Sequence, residues 1–273
     1  MSCPRKLRSR YGLTKAPFTK EVPTDELYEH QGAERAIEQI RATISGRASG
    51  VVTGEAGTGK TFVWRAVEAQ LPAGTARVTY IHNSTVNLRD FYRQLAVAMG
   101  LEPRATPSAL FRAITCNVEE VSAQKVQATV VIDEAHLLPV DVLGHLHILL
   151  NYQRDSRPLL SLLLIGLPGL RERLKRNVLT SLAARLPMRI HLDPLSSQQV
   201  GEYLRHRMRM AGCNDEVFAE DAVLLIAEAT GGVMRKIDVL ASRALFLACE
   251  GKSKLVDASV VGDAVGLCGE SLV

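Results

Sequence analysis

From residue 54 the chain reads Gly54-Glu55-Ala56-Gly57-Thr58-Gly59-Lys60-Thr61, and no other stretch narrows the possible folds so much. The pattern G-x-x-x-x-G-K-[ST] functions only where a strand leads into it and a helix leads out. Ala48 to Thr53, with Val51 and Val52 at its centre, reads as a short buried strand, and Thr61 to Leu71 reads as a helix. Glycines at 54, 57 and 59 let the backbone turn its N–H groups inward, where they and the positive end of the helix dipole hold phosphate oxygens. Lys60 is expected to reach the β- and γ-phosphates. Thr61 is expected to place its hydroxyl on Mg²⁺, which takes oxygen ligands in octahedral geometry. Glu55, Ala56, Thr58 and Phe62 complete the expected contacts to ATP.

A second stretch gives that loop a partner. Thr129-Val130-Val131-Ile132-Asp133-Glu134 is an apolar run ending in two adjacent carboxylates, the form of a Walker B strand. Strand residues alternate sides, so the two are expected to divide the work. Asp133 holds the Mg²⁺ shell through Thr61 and water, and Glu134 orients the attacking water as general base. Asp133-Glu134-Ala135-His136 also spells the DEAH tetrapeptide of one helicase group, but 273 residues leave no room for the tandem second motor those helicases use.

The remaining chain alternates strands with helices up to residue 193. Helices are expected at Gln31 to Ser45, Leu88 to Met99, Pro107 to Ala123, Pro139 to Gln153 and Leu170 to Arg176. Strands are expected at Ala76 to His82, Leu159 to Ile165 and Arg189 to Leu192. His145 and His147 lie two apart, share no helix face and form no metal pair. After Pro194 the texture becomes wholly helical: Ser197 to Ala211, Glu220 to Ala229, Val233 to Ala248 and Asp257 to Leu267. This divides the chain into 1–30, a basic arm and nucleotide-base segment; 31–193, an α/β domain; and 194–273, a helical lid.

Composition adds bounds. A hydrophobic content of 47% is ample for a core. The net charge is only +4, yet Arg5, Lys6, Arg8, Arg10, Lys15 and Lys20 precede the first acid, Glu21. Such an arm either lies on phosphates or is a solvated terminus, and charge leaves both open. Cys3, Cys116, Cys213, Cys249 and Cys268 show no C-x-x-C pair, which fits reduced thiols in a cytoplasm. No apolar run reaches the ~18 residues of a membrane span, and no signal peptide is expected.

Strand–helix alternation, P-loop, Walker B and lid together resemble AAA+ ATPases. Tyr11-Gly12-Leu13 with Pro17-Phe18, the run Asp133 to Pro139, Leu149-Leu150-Asn151 and Asp155 to Leu160 resemble the ExeA branch of that superfamily. The branch includes secretion-associated ATPases and transposon-borne regulators similar to TnsC, TniB and IstB. The resemblance implies a five-stranded parallel sheet of order 5-1-4-3-2 with a C-terminal lid, working as a homo-oligomeric ring or helical filament with ATP between subunits. It implies that Arg185 is an arginine finger acting on the neighbouring subunit, with Arg189 the fallback, and that Arg235 is the lid's sensor-2 arginine. Leu167 departs from the pattern, because relatives usually carry a polar side chain after Gly166. In the transposition regulators DNA is held by polar and basic residues after the second strand. Here these are Asn83, Ser84, Thr85, Arg89, Arg104 and Thr106, suited to non-specific contact with double-stranded DNA phosphates. The implied function is a DNA-assembling ATPase that recruits a transposase or adaptor protein, with no membrane partner. The alternatives are a secretion-system assembly ATPase and a low-turnover ATP switch.

Overall fold

A computed structural model describes residues 5–269 apart from 20–21, 24–25, 73, 83–84 and 155. In chain order its elements are α1 (Arg5–Tyr11), α2 (Gln31–Ser45), β1 (Gly50–Gly54), α3 (Lys60–Gln70), β2 (Ala76–Ile81), α4 (Leu88–Ala98), α5 (Pro107–Ala123), β3 (Gln127–Ile132), α6 (Val140–Leu149), β4 (Leu160–Gly166), α7 (Gly169–Leu174), α8 (Thr180–Ala184), β5 (Met188–Leu192), α9 (Ser197–Met210), α10 (Glu220–Thr230), α11 (Met234–Glu250) and α12 (Ala258–Cys268). Short 3₁₀ turns occupy Ala135–Leu137 and Asn177–Leu179. Two compact units emerge: residues 32–54 with 60–192, and the described part of 1–31 with 55–59 and residues from 193 onward.

The first unit is built on one sheet of order β2-β3-β4-β1-β5 with every pairing parallel, the expected order read from the other edge. Every residue of β3 and β4 is buried, as a parallel sheet covered on both faces requires. Alternation along the strands sorts the apolar residues. Val130, Ile132, Leu162 and Leu164 pack with Leu95 of α4, Ile114 of α5, Leu143 of α6 and Leu182 of α8. Val52, Val131, Leu163 and Ile165 face Ile40 of α2 and Trp64 of α3. Burying each such Leu or Ile contributes on the order of 2 kcal/mol. The edge strands β2 and β5 are only partly buried.

Two expectations change here. The helix expected to run to Gln153 ends at Leu149, because Tyr152 turns into the core and Gln153 and Arg154 take φ of 49° and 57°, outside helical space. The Walker B strand ends at Ile132, so Asp133 and Glu134 are not separated by strand alternation. Instead Glu134 adopts a left-handed backbone with φ 51°. A turn, not the pleat, splits the two carboxylates.

The second unit has its own core, in which Leu7 and Tyr11 of α1 are buried with Tyr203, Leu204, Ile237, Leu240 and Val261. A capping box closes the start of α9: Ser196 accepts from the Gln199 N–H and the Gln199 side chain accepts from the Ser196 N–H. The buried Arg207 donates from Nε to Pro17 O at 2.7 Å and from Nη2 to Thr19 O at 2.9 Å. Tyr28 OH donates to Oε2 of Glu202 at 2.8 Å. These bonds fasten the N-terminal segment; Arg5, Lys6 and Arg8 stay exposed on α1, while Lys20 and Glu21 lie outside the described residues.

Candidate nucleotide site

β1 delivers the chain into the loop and α3 carries it away. Gly57 and Gly59 take φ of +89° and +90°, a region that favours glycine, which is why the turn needs them. Inside the loop the Thr58 N–H and hydroxyl both donate to Glu55 O, at 3.3 and 3.0 Å. Lys60, at the start of α3, is buried, and its Nζ donates to Gly54 O at 2.8 Å. Thr61 Oγ1 donates to Oδ2 of Asp133 at 3.2 Å. Phe62 is half-buried with the Arg65 guanidinium 5.8 Å from its ring centre.

Asp133 is buried and held from several sides. Its Oδ1 accepts the Glu134 N–H at 2.8 Å, its own N–H donates to Ile81 O at 2.8 Å, and its Oδ2 also accepts from Tyr80 OH at 2.6 Å. Burial first, and the bond to Asp133 next, push the Tyr80 phenol well above its ordinary pKa, so it stays protonated and donating. The neighbouring Glu134 side chain is half exposed, at 50%. One carboxylate is therefore anchored and the other faces solvent, the division expected of a metal-shell ligand and a proton acceptor.

No group of three or more His, Cys, Asp or Glu side chains gathers to hold a metal among the described residues. The Thr61 hydroxyl and Asp133 carboxylate nevertheless fit Mg²⁺ with a nucleotide, because that ion keeps water and phosphate oxygens for most of its shell and needs one or two protein oxygens.

The arginines are placed as follows. The Arg235 N–H at the start of α11 donates to Gly57 O at 3.4 Å, and a Cβ at Gly57 would lie 2.6 Å from that of Arg235. Its side chain is exposed. Arg185 caps the end of α8 and donates from Nη1 to Ser181 O at 3.1 Å. Arg189 is exposed on β5.

Of the residues expected at DNA, Asn83 and Ser84 lie outside the described residues. Thr85 and Arg104 are exposed. Arg89 is exposed and reaches from α4 to Ala105 O at 3.4 Å. Thr106 is the N-cap of α5, its hydroxyl oxygen accepting the Ala109 N–H at 3.2 Å. A capping oxygen accounts for that side chain without a ligand.

Three further residues join the neighbourhood that were not expected in the site. Tyr80 holds Asp133. His136 lies with Nδ1 3.4 Å from Oε2 of Glu134. Arg173 of α7 donates to the carbonyls of His136 and Leu138. Only His136 carried a signal, its place in the Asp133 to His136 tetrapeptide; the others come from distant segments.

Comparison with known proteins adds family context. Residues 41–174 match the AAA domain family. The chain is 34% identical over 255 residues, 92% of its length, to the general secretion pathway protein A of Aeromonas hydrophila, and spans only 46% of that relative. Among solved structures it superposes on Cdc6p of Pyrobaculum aerophilum with a TM-score of 0.65 at 18% identity, covering 88% of this chain and 67% of that one. For the ORC2 protein of Aeropyrum pernix, solved in ADPNP–ADP complexes, the TM-score is 0.66 at 17% identity, with 93% and 71% covered. For the Holliday junction branch migration motor RuvB of Thermotoga maritima it is 0.59 at 16% identity, with 93% and 73% covered. No helix among the described residues is long and apolar enough to cross a membrane. Over the stretch that matches the AAA domain family, the parallel sheet that carries the loop has the P-loop fold of the AAA+ proteins.

Proposed function

We propose that this chain binds ATP at residues 54–62 and hydrolyses it to ADP and phosphate with Mg²⁺. The observation that carries the reading is the 3.2 Å contact between Thr61 Oγ1 and Asp133 Oδ2, beside a buried Lys60 and a half-exposed Glu134. In this reading the Lys60 ammonium exchanges Gly54 O for phosphate oxygens. Thr61 and Asp133 hold the metal shell, and Glu134 accepts the proton of the attacking water. Mg²⁺, when bound, draws charge from the phosphate oxygens. Arg185 of a neighbouring copy stabilises charge in trans, and Arg235 does so in cis. The test is a pair of variants. Lys60→Ala should lose nucleotide binding, whereas Glu134→Gln should bind like wild type and turn over on the order of 10²-fold more slowly. Wild-type turnover by Glu134→Gln would remove the assignment.

We place this activity in a general secretion pathway, as the name of the Aeromonas relative states for that protein. The support is 34% identity over 92% of this chain, which spans the loop, Asp133 and the helical segment. A homo-oligomer of ring or filament form belongs to the proposal through Arg185. A second reading, assembly on double-stranded DNA for a transposase or adaptor protein, draws on the exposed Arg89 and Arg104 beside the start of α5. Fluorescence anisotropy with random-sequence duplex across a salt series separates the two. DNA assembly predicts ATP-dependent binding whose log–log salt slope gains about 0.9 per phosphate contacted. It also predicts that the Arg89→Ala, Arg104→Ala double variant weakens binding and flattens the slope.

A further inference from the structure

The turn after Asp133 carries an imidazole with two partners for one nitrogen. His136 Nδ1 lies 3.3 Å from the Leu167 N–H at the end of β4 and 3.4 Å from Oε2 of Glu134. One ring nitrogen cannot serve both, since it accepts from Leu167 only when bare and donates to Glu134 only when protonated. The ring is packed, with 16% of its side chain exposed. Gly166 makes the space for it: a Cβ there would meet the His136 backbone nitrogen at 3.2 Å and Nδ1 at 3.3 Å. Arg173 grips the same turn from α7 through the His136 and Leu138 carbonyls. Burial lowers the Arg173 pKa somewhat, as expected for a cation drawn in to serve backbone acceptors.

Glu134 is the opposite. Its backbone is left-handed, and its side chain is half exposed with several rotatable bonds. A base of that kind loses efficiency when it is free to wander, because the reacting geometry tolerates errors of well under 1 Å.

We propose that His136 is a positioning residue for Glu134, on the reading that Glu134 is the proton acceptor of the hydrolytic site. Nδ1 carries the proton and donates to Oε2, which ties one carboxylate oxygen and leaves Oε1 to take the proton of water. The Leu167 N–H is the competing partner that holds the ring when the carboxylate is released. β4 and the base are thereby coupled through one imidazole.

The test uses the full chain with six variants and four readouts. His136→Ala should lower kcat by about 10- to 100-fold, the size of effect expected from a misplaced base, and leave nucleotide Kd and the unfolding midpoint near wild type. His136→Asn should recover most of the rate, because its amide sits the same two bonds from Cβ as Nδ1. His136→Gln, one bond longer, should not. Gly166→Ala displaces the ring without removing it and should lower kcat with Kd unchanged, which keeps the test decisive if His136→Ala folds poorly. The fourth readout needs no nucleotide: in the free protein, Glu134→Ala should move the His136 ring ¹⁵N resonances toward a bare Nδ1.

Unchanged kcat in His136→Ala, equal behaviour of the Asn and Gln variants, or ring resonances indifferent to Glu134→Ala would overturn the proposal. Glu134→Gln separates this failure from failure of the base itself. If Glu134→Gln is inactive and His136→Ala is fully active, only the positioning role falls. If Glu134→Gln turns over normally, or wild type binds ATP without turnover, the base role of Glu134 falls and takes the role of His136 with it.

Discussion

The hydroxyl of Tyr80, on the edge strand β2, donates to Oδ2 of Asp133 at 2.6 Å, the same oxygen that accepts from Thr61. This bond comes from a neighbouring strand, since Tyr80 lies opposite Val131 in the β2–β3 register. It leaves a buried carboxylate with one fewer unmet acceptor. Tyr80→Phe should therefore cost about 1–3 kcal/mol, the usual effect of withdrawing a donor from a buried charged group. The check is chemical denaturation with and without Mg²⁺, the ion being expected to recover part of the loss. Equal stability of variant and wild type in metal-free buffer would show that the bond contributes nothing.

Arg185→Ala should abolish most ATPase activity, and mixing it with Lys60→Ala subunits should restore a fraction of it. Some interfaces in the mixture join an intact loop to an intact guanidinium. Turnover measured against mixing ratio should pass through a maximum. A flat line, with co-assembly verified by sizing, would remove the trans role.

Adjacent glycines after α10 should respond very differently to alanine. Gly231 and Gly232 have φ of 57° and 73°, so both substitutions carry backbone strain of about 1–2 kcal/mol. Only at Gly232 is there also a collision: a Cβ there would sit 2.0 Å from Leu195 O, on a backbone held by the Leu195 N–H to Gly232 O bond of 2.9 Å. At Gly231 nothing lies within 4 Å. Thermal unfolding should show Gly232→Ala losing at least about 2 kcal/mol more than Gly231→Ala, a backbone clash having no cheap relaxation.

Asp238 should make stability depend on pH in the unusual direction for an acid. Burial raises its pKa from the ordinary 3.8 to about 6, against the opposing pull of Arg207 and of the 2.7 Å bond from Tyr203 OH. Between pH 4 and 6 the folded chain thus binds more protons here than the unfolded chain. The stability that this group contributes is full below pH 4 and lost as pH rises through 6, up to about 3 kcal/mol. Asp238→Asn should gain on wild type in unfolding midpoint at pH 7.5, with the gap closing by pH 4.5. A gap constant across that range would refute the buried-acid assignment.

Much of the fold was legible in the chain because it rests on local rules. Gln31–Ser45 and Pro107–Ala123 begin and end where apolar spacing places them, and at α5 also where Thr106 and Pro107 supply the cap. The unbroken apolar runs of β3 and β4 announced central parallel strands. The loop at 54–61 and the carboxylates at 133–134 stand out in the sequence as a candidate site because phosphate and metal chemistry demand fixed residue types at fixed spacing. The helix Arg5–Tyr11 was not legible: six cations in twenty residues mask an apolar contribution of only Leu7 and Tyr11, which count once the core around Tyr203 exists to receive them. The end of α6 was decided by Tyr152 finding the core and the chain turning left-handed after it. Tertiary structure alone brought Tyr80 to Asp133 and placed Leu167 and Arg173 around His136. Those residues are joined by strand register and by a turn, and no short-range spacing records a distance across a sheet.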